Sequence, residues 1–288
     1  MNNLIKNFMQ APRIELKHLD NFFIELSRQS CNLKCKHCYI ERNNFSSSKD
    51  FLDIKKIKSA LKIVKDYNVK LIYLTGGEPT IHPDFNQIMR MCLKISSVCV
   101  LTNGQTTNEK KARFLRKIDD ESDFESIYVI SFEHFDELKN DAIRGRGSYR
   151  KAVNAINSLS KYGFNPIVQT TNYYKESEKN LKNGFKNLYE KLGLEFQDIN
   201  LKISPLFNNF KEENHNFEEL KADERLLDCA SARILTSSGI YSCPQLAGDF
   251  RARSGPDIGN FSKKCTLDTK FCTTCLKHGK KAFSMDWI

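Results

Sequence analysis

No stretch of this chain is apolar for long enough to cross a bilayer. Nothing reaches the roughly 18 apolar residues of a membrane span, and the opening MNNLIKNFMQAPRIELKHLD lacks the apolar core of a signal peptide. A cytoplasmic address is the expectation. Thiols stay reduced there, and ten cysteines in 288 residues fall well below the roughly 8–10% of a disulfide scaffold. The cysteines therefore ask for a metal. Internal repeats and low-complexity tracts are absent, as is any basic run interleaved with aromatics, the pattern of a groove for single-stranded nucleic acid. The net charge of +10, from 45 Lys+Arg against 35 Asp+Glu, is read instead as solvated surface. In DFLDIKKIKSALKIVKDY, Ile54, Ile57, Leu61 and Val64 recur at helical spacing as a buried stripe, while Lys55, Lys56, Lys58, Lys62 and Lys65 take the other faces. Neither a membrane nor a nucleic acid is an expected partner.

What is present is an alternation of strands and helices. NFFIELS (21 to 27) reads as a strand, and Asp50 as the N-cap of the Lys-rich helix. VKLIYLT is a buried strand that stops at a glycine pair. Phe85, Ile88, Cys92 and Ile95 mark a helix, SVCVLTNG a strand, and Ala112, Leu115 and Ile118 another helix. SIYVISFEH (126 to 134), NPIVQTT (165 to 171) and DINLKISPL (198 to 206) are three more strands. Between them lie a helix capped by Ser148 and one carrying Leu181, Phe185, Leu188 and Leu192 that closes at Gly193. Strands alternating with helices imply parallel βαβ units, an α/β fold. The C-terminal ends of such strands share one rim, where these folds gather their chemistry. The expected plan is a core over 1–206, an acidic polar linker over 207–228 and a Cys-rich unit over 229–288.

Three unusual loops sit on that rim. The first, CNLKCKHCY, carries Cys31, Cys35 and Cys38 at C-x3-C-x2-C spacing. Zinc wants four ligands in a closed tetrahedron, and His37 can supply the fourth. A cubane iron–sulfur cluster tolerates three protein thiolates and leaves one iron open for chemistry. The triplet alone does not choose between them. The second loop is TGGEP, in which Gly76 and Gly77 leave backbone exposed, Glu78 adds a carboxylate and Pro79 fixes the exit. Such a loop can grip an amine. The third, after the next strand, is TNG.

The pairing of a C-x3-C-x-aromatic-C loop with a GGEP-type strand end resembles the radical S-adenosylmethionine (SAM) family over about residues 21 to 206. The resemblance implies a partial (β/α)6 barrel of parallel strands with a small Cys-rich C-terminal extension containing a β-hairpin. It further implies that Cys31, Cys35 and Cys38 hold a 4Fe-4S cluster whose fourth iron chelates the amino and carboxylate groups of SAM. His37 fills the aromatic position near adenine, and Gly76, Gly77 and Glu78 contact the SAM amine. Thr102 and Asn103 resemble the ribose and methionine contact region, and Ser131 and Arg144 are candidates for the SAM carboxylate. Strand alternation places Ile127, Val129, Ser131 and Glu133 on one face. In this family one electron from the cluster breaks a C–S bond of SAM, and the resulting 5′-deoxyadenosyl radical abstracts hydrogen from an unactivated carbon. An electron donor such as flavodoxin or ferredoxin is the implied partner.

Other residues read more plainly. Cys92 and Cys99 lie in apolar patterns as core thiols, and His82 before Pro83 has a structural place. Glu133 and His134 sit at the rim, where Glu133 is the candidate for proton exchange with substrate. After residue 228 come five more cysteines, and GIYSCP followed by PDIGNFS resembles the SPASM or shorter twitch extension of radical SAM enzymes, which carries auxiliary clusters. Five cysteines, where the longer form has seven, point to one auxiliary 4Fe-4S cluster. Cys229, Cys243, Cys272 and Cys275 are its expected ligands, with Cys265 as spare or substitute, and zinc on the same four residues is the alternative. About twenty residues precede the first strand, too few for an added leader-peptide-binding domain. A peptide or protein oxidised or crosslinked at carbon is the leading substrate class. A polar small molecule such as a sugar or nucleoside is the second, and a noncatalytic zinc-stabilised module is the contrasting function.

Overall fold

Seven parallel strands form the centre of one open sheet. The structure is a computed structural model, and it describes residues 11–40, 50–207, 223, 227–267 and 269–278. Strands β2 (Asn21–Glu25), β3 (Leu71–Thr75), β4 (Ser97–Thr102), β5 (Ser126–Ser131), β6 (Ile167–Thr170) and β7 (Leu201–Ile203) lie side by side in chain order. Each pairs in parallel with the next. These are the six expected strands, and the sheet does not close. The first two are buried along their whole length, which explains why they read as continuous apolar runs rather than alternating ones.

The crossover helices are α1 (Ile54–Val64), α2 (Phe85–Cys92), α3 (Glu109–Asp120), α4 (Glu137–Arg144), α5 (Ser148–Lys161) and α6 (Glu178–Lys191). In α1, Ile57, Ala60, Leu61 and Val64 are buried, and each of the Ile, Leu and Val side chains contributes about 1.5–3 kcal/mol. Lys55, Lys58, Lys62 and Lys65 are exposed, while half-buried Lys56 donates to the Ser237 carbonyl at 2.8 Å. Cys92 and Cys99 are fully buried in the core. Two caps differ from expectation. Asp53, not Asp50, caps α1 by accepting from the Lys55 amide at 2.7 Å. Gly147 precedes α5, with Ser148 as its first residue, bonded instead to Asn140 and Asp141.

The C-terminal extension is built into the same sheet. Strand β8 (Ala232–Thr236) pairs parallel with β2 on the side away from β3. It turns into β9 (Gly239–Tyr241), which pairs antiparallel with it and is followed by β10 (Arg253–Gly255). The hairpin expected after residue 229 therefore extends the sheet. A separate two-stranded ribbon joins β1 (Arg13–Glu15) to β11 (Lys264–Thr266), with Ile14 opposite Cys265, and α7 (Lys270–His278) follows. Most of the expected linker, 208–222 and 224–226, lies outside the described residues.

Candidate active site and a second cysteine cavity

The loop after β2 is built from both ends. Asp50, freed from the capping role, accepts from three successive amides just before Cys31: Arg28 at 2.9 Å, Gln29 at 2.8 Å and Ser30 at 3.0 Å. Charge-assisted bonds of this kind are the strong ones. At the other end, the Lys36 amide donates to the Ile143 carbonyl near the end of α4 at 2.9 Å.

Between these ties the cysteine loop lies directly on the GGEP loop. The Gly77 amide donates to the Ser27 carbonyl at 2.8 Å, and the Glu78 amide to the Ser30 carbonyl at 3.0 Å. A Cβ on Gly76 would lie 2.1 Å from the Ser27 oxygen, and one on Gly77 2.1 Å from the Ser30 oxygen and 3.2 Å from the Cys31 Cβ. Gly76 also has φ of +124°, which side chains rarely adopt. The glycine pair thus seats the cysteine loop, a requirement beyond the open backbone read from the sequence.

Glu78, 1% exposed, joins the second loop to the third. It accepts from the Thr80 amide at 3.1 Å, the Thr80 hydroxyl at 2.5 Å, the Thr102 hydroxyl at 2.6 Å and the Asn103 amide at 2.7 Å. Three of these bonds fall on Oε1 and one on Oε2, which leaves an acceptor position open on Oε2. Asn103 carries the connection back to the cysteine loop, its Nδ2 donating to Asn32 Oδ1 at 2.7 Å and lying 3.7 Å from Cys31 Sγ.

On the far side stands a buried ion cluster. Glu133 Oε1 is 3.0 Å from Arg144 Nη1 and 2.6 Å from His37 Nε2. Glu133 Oε2 accepts from the Thr171 hydroxyl at 2.7 Å. Burial alone would raise the Glu133 carboxyl, but His37, Arg144 and Thr171 hold it down at about 2. The contacts to Arg144 and Thr171 hold this carboxylate in place at the rim. His134 turns elsewhere, to Glu176 at 2.7 Å and the Asp136 amide at 2.8 Å. His82 is likewise structural, contacting the Leu52 carbonyl at 3.0 Å.

All the residues expected at the SAM site line one cavity of about 170 Å³: the three cysteines, His37, Gly76, Gly77, Glu78, Thr102, Asn103, Ser131 and Arg144, with Glu133 beside them. Tyr39 and Ile40 after the cysteine triplet, and Thr75, Leu101, Gln169 and Thr171, line it too. The last four carried no sequence signal beyond their places at or near strand ends, and the first two none beyond following Cys38. Burial pushes the Cys35 thiol up, against the pull of Arg144, and a bound metal supplies the charge that lets such a thiol ionise. Residues 28–183, more than half of the chain, match the Radical SAM superfamily. The chain belongs to that superfamily.

Radical SAM enzymes are catalysts that use a 4Fe-4S cluster and SAM. Among curated relatives, the antilisterial bacteriocin subtilosin biosynthesis protein AlbA of Bacillus subtilis is 32% identical over 46% of this chain and 29% of its own length. A probable GTP 3′,8-cyclase of Methanocella arvoryzae is 29% identical over 50% of this chain and 45% of its own. The matched stretch spans under half the length of these relatives. Among solved structures, Streptococcus suis SuiB bound to its precursor peptide SuiA superposes with a TM-score of 0.58 at 16% identity, covering 84% of this chain and 63% of that one. Polyhistidine-tagged anSMEcpe with bound AdoMet gives 0.61 at 17%, covering 82% and 74%. These likenesses support the open parallel-strand fold.

A second cavity, about 30 Å³ in volume, is lined by all five C-terminal cysteines, Cys265 included. β11 delivers Cys265 through its pairing with β1, and α7 delivers Cys272 and Cys275. The Cys229 thiol is pushed up by its hydrogen bond with Cys265 and by burial; burial likewise raises Cys243 and Cys275. The Leu246 amide donates to the Cys243 carbonyl at 3.2 Å, and the backbone at Leu246 and Gln245 works against the rise of the Cys243 thiol. Among the described residues, no three Cys, His, Asp or Glu side chains close in tightly enough to grip a single metal ion. A cubane asks for a wider set, because its thiolates bind different irons. No helix of the described residues is long and apolar enough to cross a membrane.

Proposed function

We propose that this chain cleaves SAM reductively at a 4Fe-4S cluster held by Cys31, Cys35 and Cys38, and that it oxidises or crosslinks carbon in a peptide or protein. The observation that carries the reading is the single cavity in which the cysteine loop, the GGEP loop and the TNG loop meet. When bound, the cluster and SAM together supply one-electron cleavage of a C–S bond and a 5′-deoxyadenosyl radical that takes hydrogen from substrate. The chain's own residues orient and exclude. Asp50 fixes the entry to the cysteine loop, and the glycine pair brings that loop against the backbone that faces the SAM amine. Thr102 and Asn103 stand at the ribose and methionine side, held by Glu78. Arg144 spends Nη1 on Glu133, and the remainder of its fork, with Ser131, would hold the SAM carboxylate. His37 packs near adenine with its edge toward Tyr173, ring centroids 6.2 Å apart. The C-terminal cavity takes one auxiliary cluster on Cys229, Cys243, Cys272 and Cys275, with Cys265 as the substitute ligand. Flavodoxin or ferredoxin is the proposed electron donor.

A peptide substrate is favoured by the AlbA relative, a bacteriocin biosynthesis protein, and by structural neighbours seen with bound peptides. The GTP 3′,8-cyclase relatives favour the second reading, a nucleoside or other polar small molecule. The test is anaerobic incubation of the reconstituted, reduced protein and SAM with short peptides encoded beside its gene and, separately, with nucleoside triphosphates. Loss of two hydrogens from a peptide, read by mass spectrometry, supports the first reading. An unchanged peptide together with a consumed nucleotide supports the second.

A further inference from the structure

Arg233 of β8 is the largest fully buried side chain among the described residues, with no exposed surface. A buried charge is normally paired, because desolvating it alone is costly. Arg233 has no carboxylate partner among the described residues. Its Nη1 donates to the carbonyls of Cys229 at 2.8 Å and Ala232 at 2.7 Å, and its Nη2 to that of Lys263 at 2.6 Å. Its Nε has no partner. The guanidinium also lies over the Phe261 ring at 5.8 Å. Carbonyl dipoles and a ring face solvate the cation without neutralising it.

Two of these carbonyls belong to the frame of the C-terminal cavity, that of Cys229 itself and that of Lys263, two residues before Cys265, so negative charge on Cys265, Cys229 or Cys243, three of the five cysteines that line it, would act on this guanidinium. A cluster ligated by four thiolates is a net anion and gains another negative charge when reduced. We infer that Arg233 is the buried counter-ion of a metal–thiolate cluster in the C-terminal cavity, stabilising its reduced form. This rests on the reading of that cavity as a cluster site. It gives a reason for an arginine where an apolar residue would pack without the cost of a lone charge, and it is the kind of neighbouring interaction that tunes a cluster's potential.

The test is made in the full chain with Cys31, Cys35 and Cys38 replaced by Ala, so that only the C-terminal cluster remains. Arg233→Met and Arg233→Lys are reconstituted with iron and sulfide, and the cluster's midpoint potential is read by EPR-monitored titration. Met should shift the midpoint negative and weaken iron retention against a chelator about tenfold or more. Lys, which keeps the charge, should restore most of both. Urea unfolding supplies a second readout, in which Met should lower the midpoint more in the reconstituted protein than in the metal-free one. Equal midpoint potentials for the parent and Met, an equal loss of stability with and without the cluster, or a Lys variant as shifted as Met would each overturn the counter-ion role. A parent that takes up no iron at the C-terminal cysteines would overturn the cluster reading itself, and with it this inference, before any Arg233 variant is compared.

Discussion

Replacing Glu78 with Ala removes the acceptor on which the second and third rim loops converge. Two of its four donors are hydroxyls, those of Thr80 and Thr102, which can rotate toward other acceptors. The other two, the Thr80 and Asn103 amides, are fixed by the backbone. A buried amide left without a partner costs about 1–3 kcal/mol, so the loss of two should destabilise the fold by about 2–6 kcal/mol, against the roughly 5–15 kcal/mol that holds a domain together. Glu78→Gln keeps the shape but accepts on only one arm, which leaves one amide orphaned and a loss of about 1–3 kcal/mol. Urea unfolding of the metal-free proteins by circular dichroism measures this without interference from cluster loss. Because Asn103 reaches back to Asn32 and Cys31, both variants should also bind SAM more weakly after reconstitution, by calorimetry, while retaining iron. An Ala variant within a few tenths of a kcal/mol of the parent would refute the reasoning, since the bonds assigned to Glu78 could not then be holding the loops.

Asp50→Ala orphans the Arg28, Gln29 and Ser30 amides and should speed loss of iron from Cys31, Cys35 and Cys38 to a chelator; an unchanged stripping rate would count against the anchor role. Gly77→Ala places a methyl 2.1 Å from the Ser30 oxygen, so cluster assembly should fail while far-ultraviolet circular dichroism keeps its α/β shape, and normal iron content would contradict this. Glu25, buried beside Arg28 on β2, has its carboxyl raised by burial to about 7. A raised carboxyl stabilises the fold below the unfolded value near 4.5 and loses that contribution as pH climbs through about 7. Glu25→Gln should therefore unfold like the parent near pH 5 and be the more stable of the two at pH 8, by about 3 kcal/mol at roughly 1.4 kcal/mol per unit; a constant difference across that range would show that Glu25 stays ionised.

The parallel sheet was legible because its first strands are buried on both faces and so appear as uninterrupted apolar runs, LIYLT above all. The site was legible because a cysteine triplet and a glycine pair each follow such a run, and parallel strands must end on a common rim. The contacts that hold the site together were hidden. Asp50 and Asp53 both precede α1, and nothing local tells which caps the helix and which reaches back across twenty residues to the Ser30 amide. Pairing of β1 with β11 joins three-residue strands some 250 residues apart, too short to show periodicity, yet it carries Cys265 to the cavity. Arg233 sits in RILTSSG as an ordinary strand residue; its burial follows from β8 docking beside β2, a long-range event. Glu133 illustrates the opposite limit. Alternation aimed it at the rim, where it lines the cavity, but its partners, His37, Arg144 and Thr171, come from three other segments that no local pattern brings together.

The most direct measurement of the central claim is anaerobic reconstitution of the wild type and of the Cys31→Ala, Cys35→Ala, Cys38→Ala triple variant, with iron content and 5′-deoxyadenosine formation from SAM followed after reduction. Two cubane clusters amount to about eight irons per chain in the wild type, falling to about four in the triple variant. The wild type should release 5′-deoxyadenosine and the folded triple variant none. Deoxyadenosine from the reduced triple variant, or a wild type that binds zinc and no iron at the rim cysteines, would contradict the account.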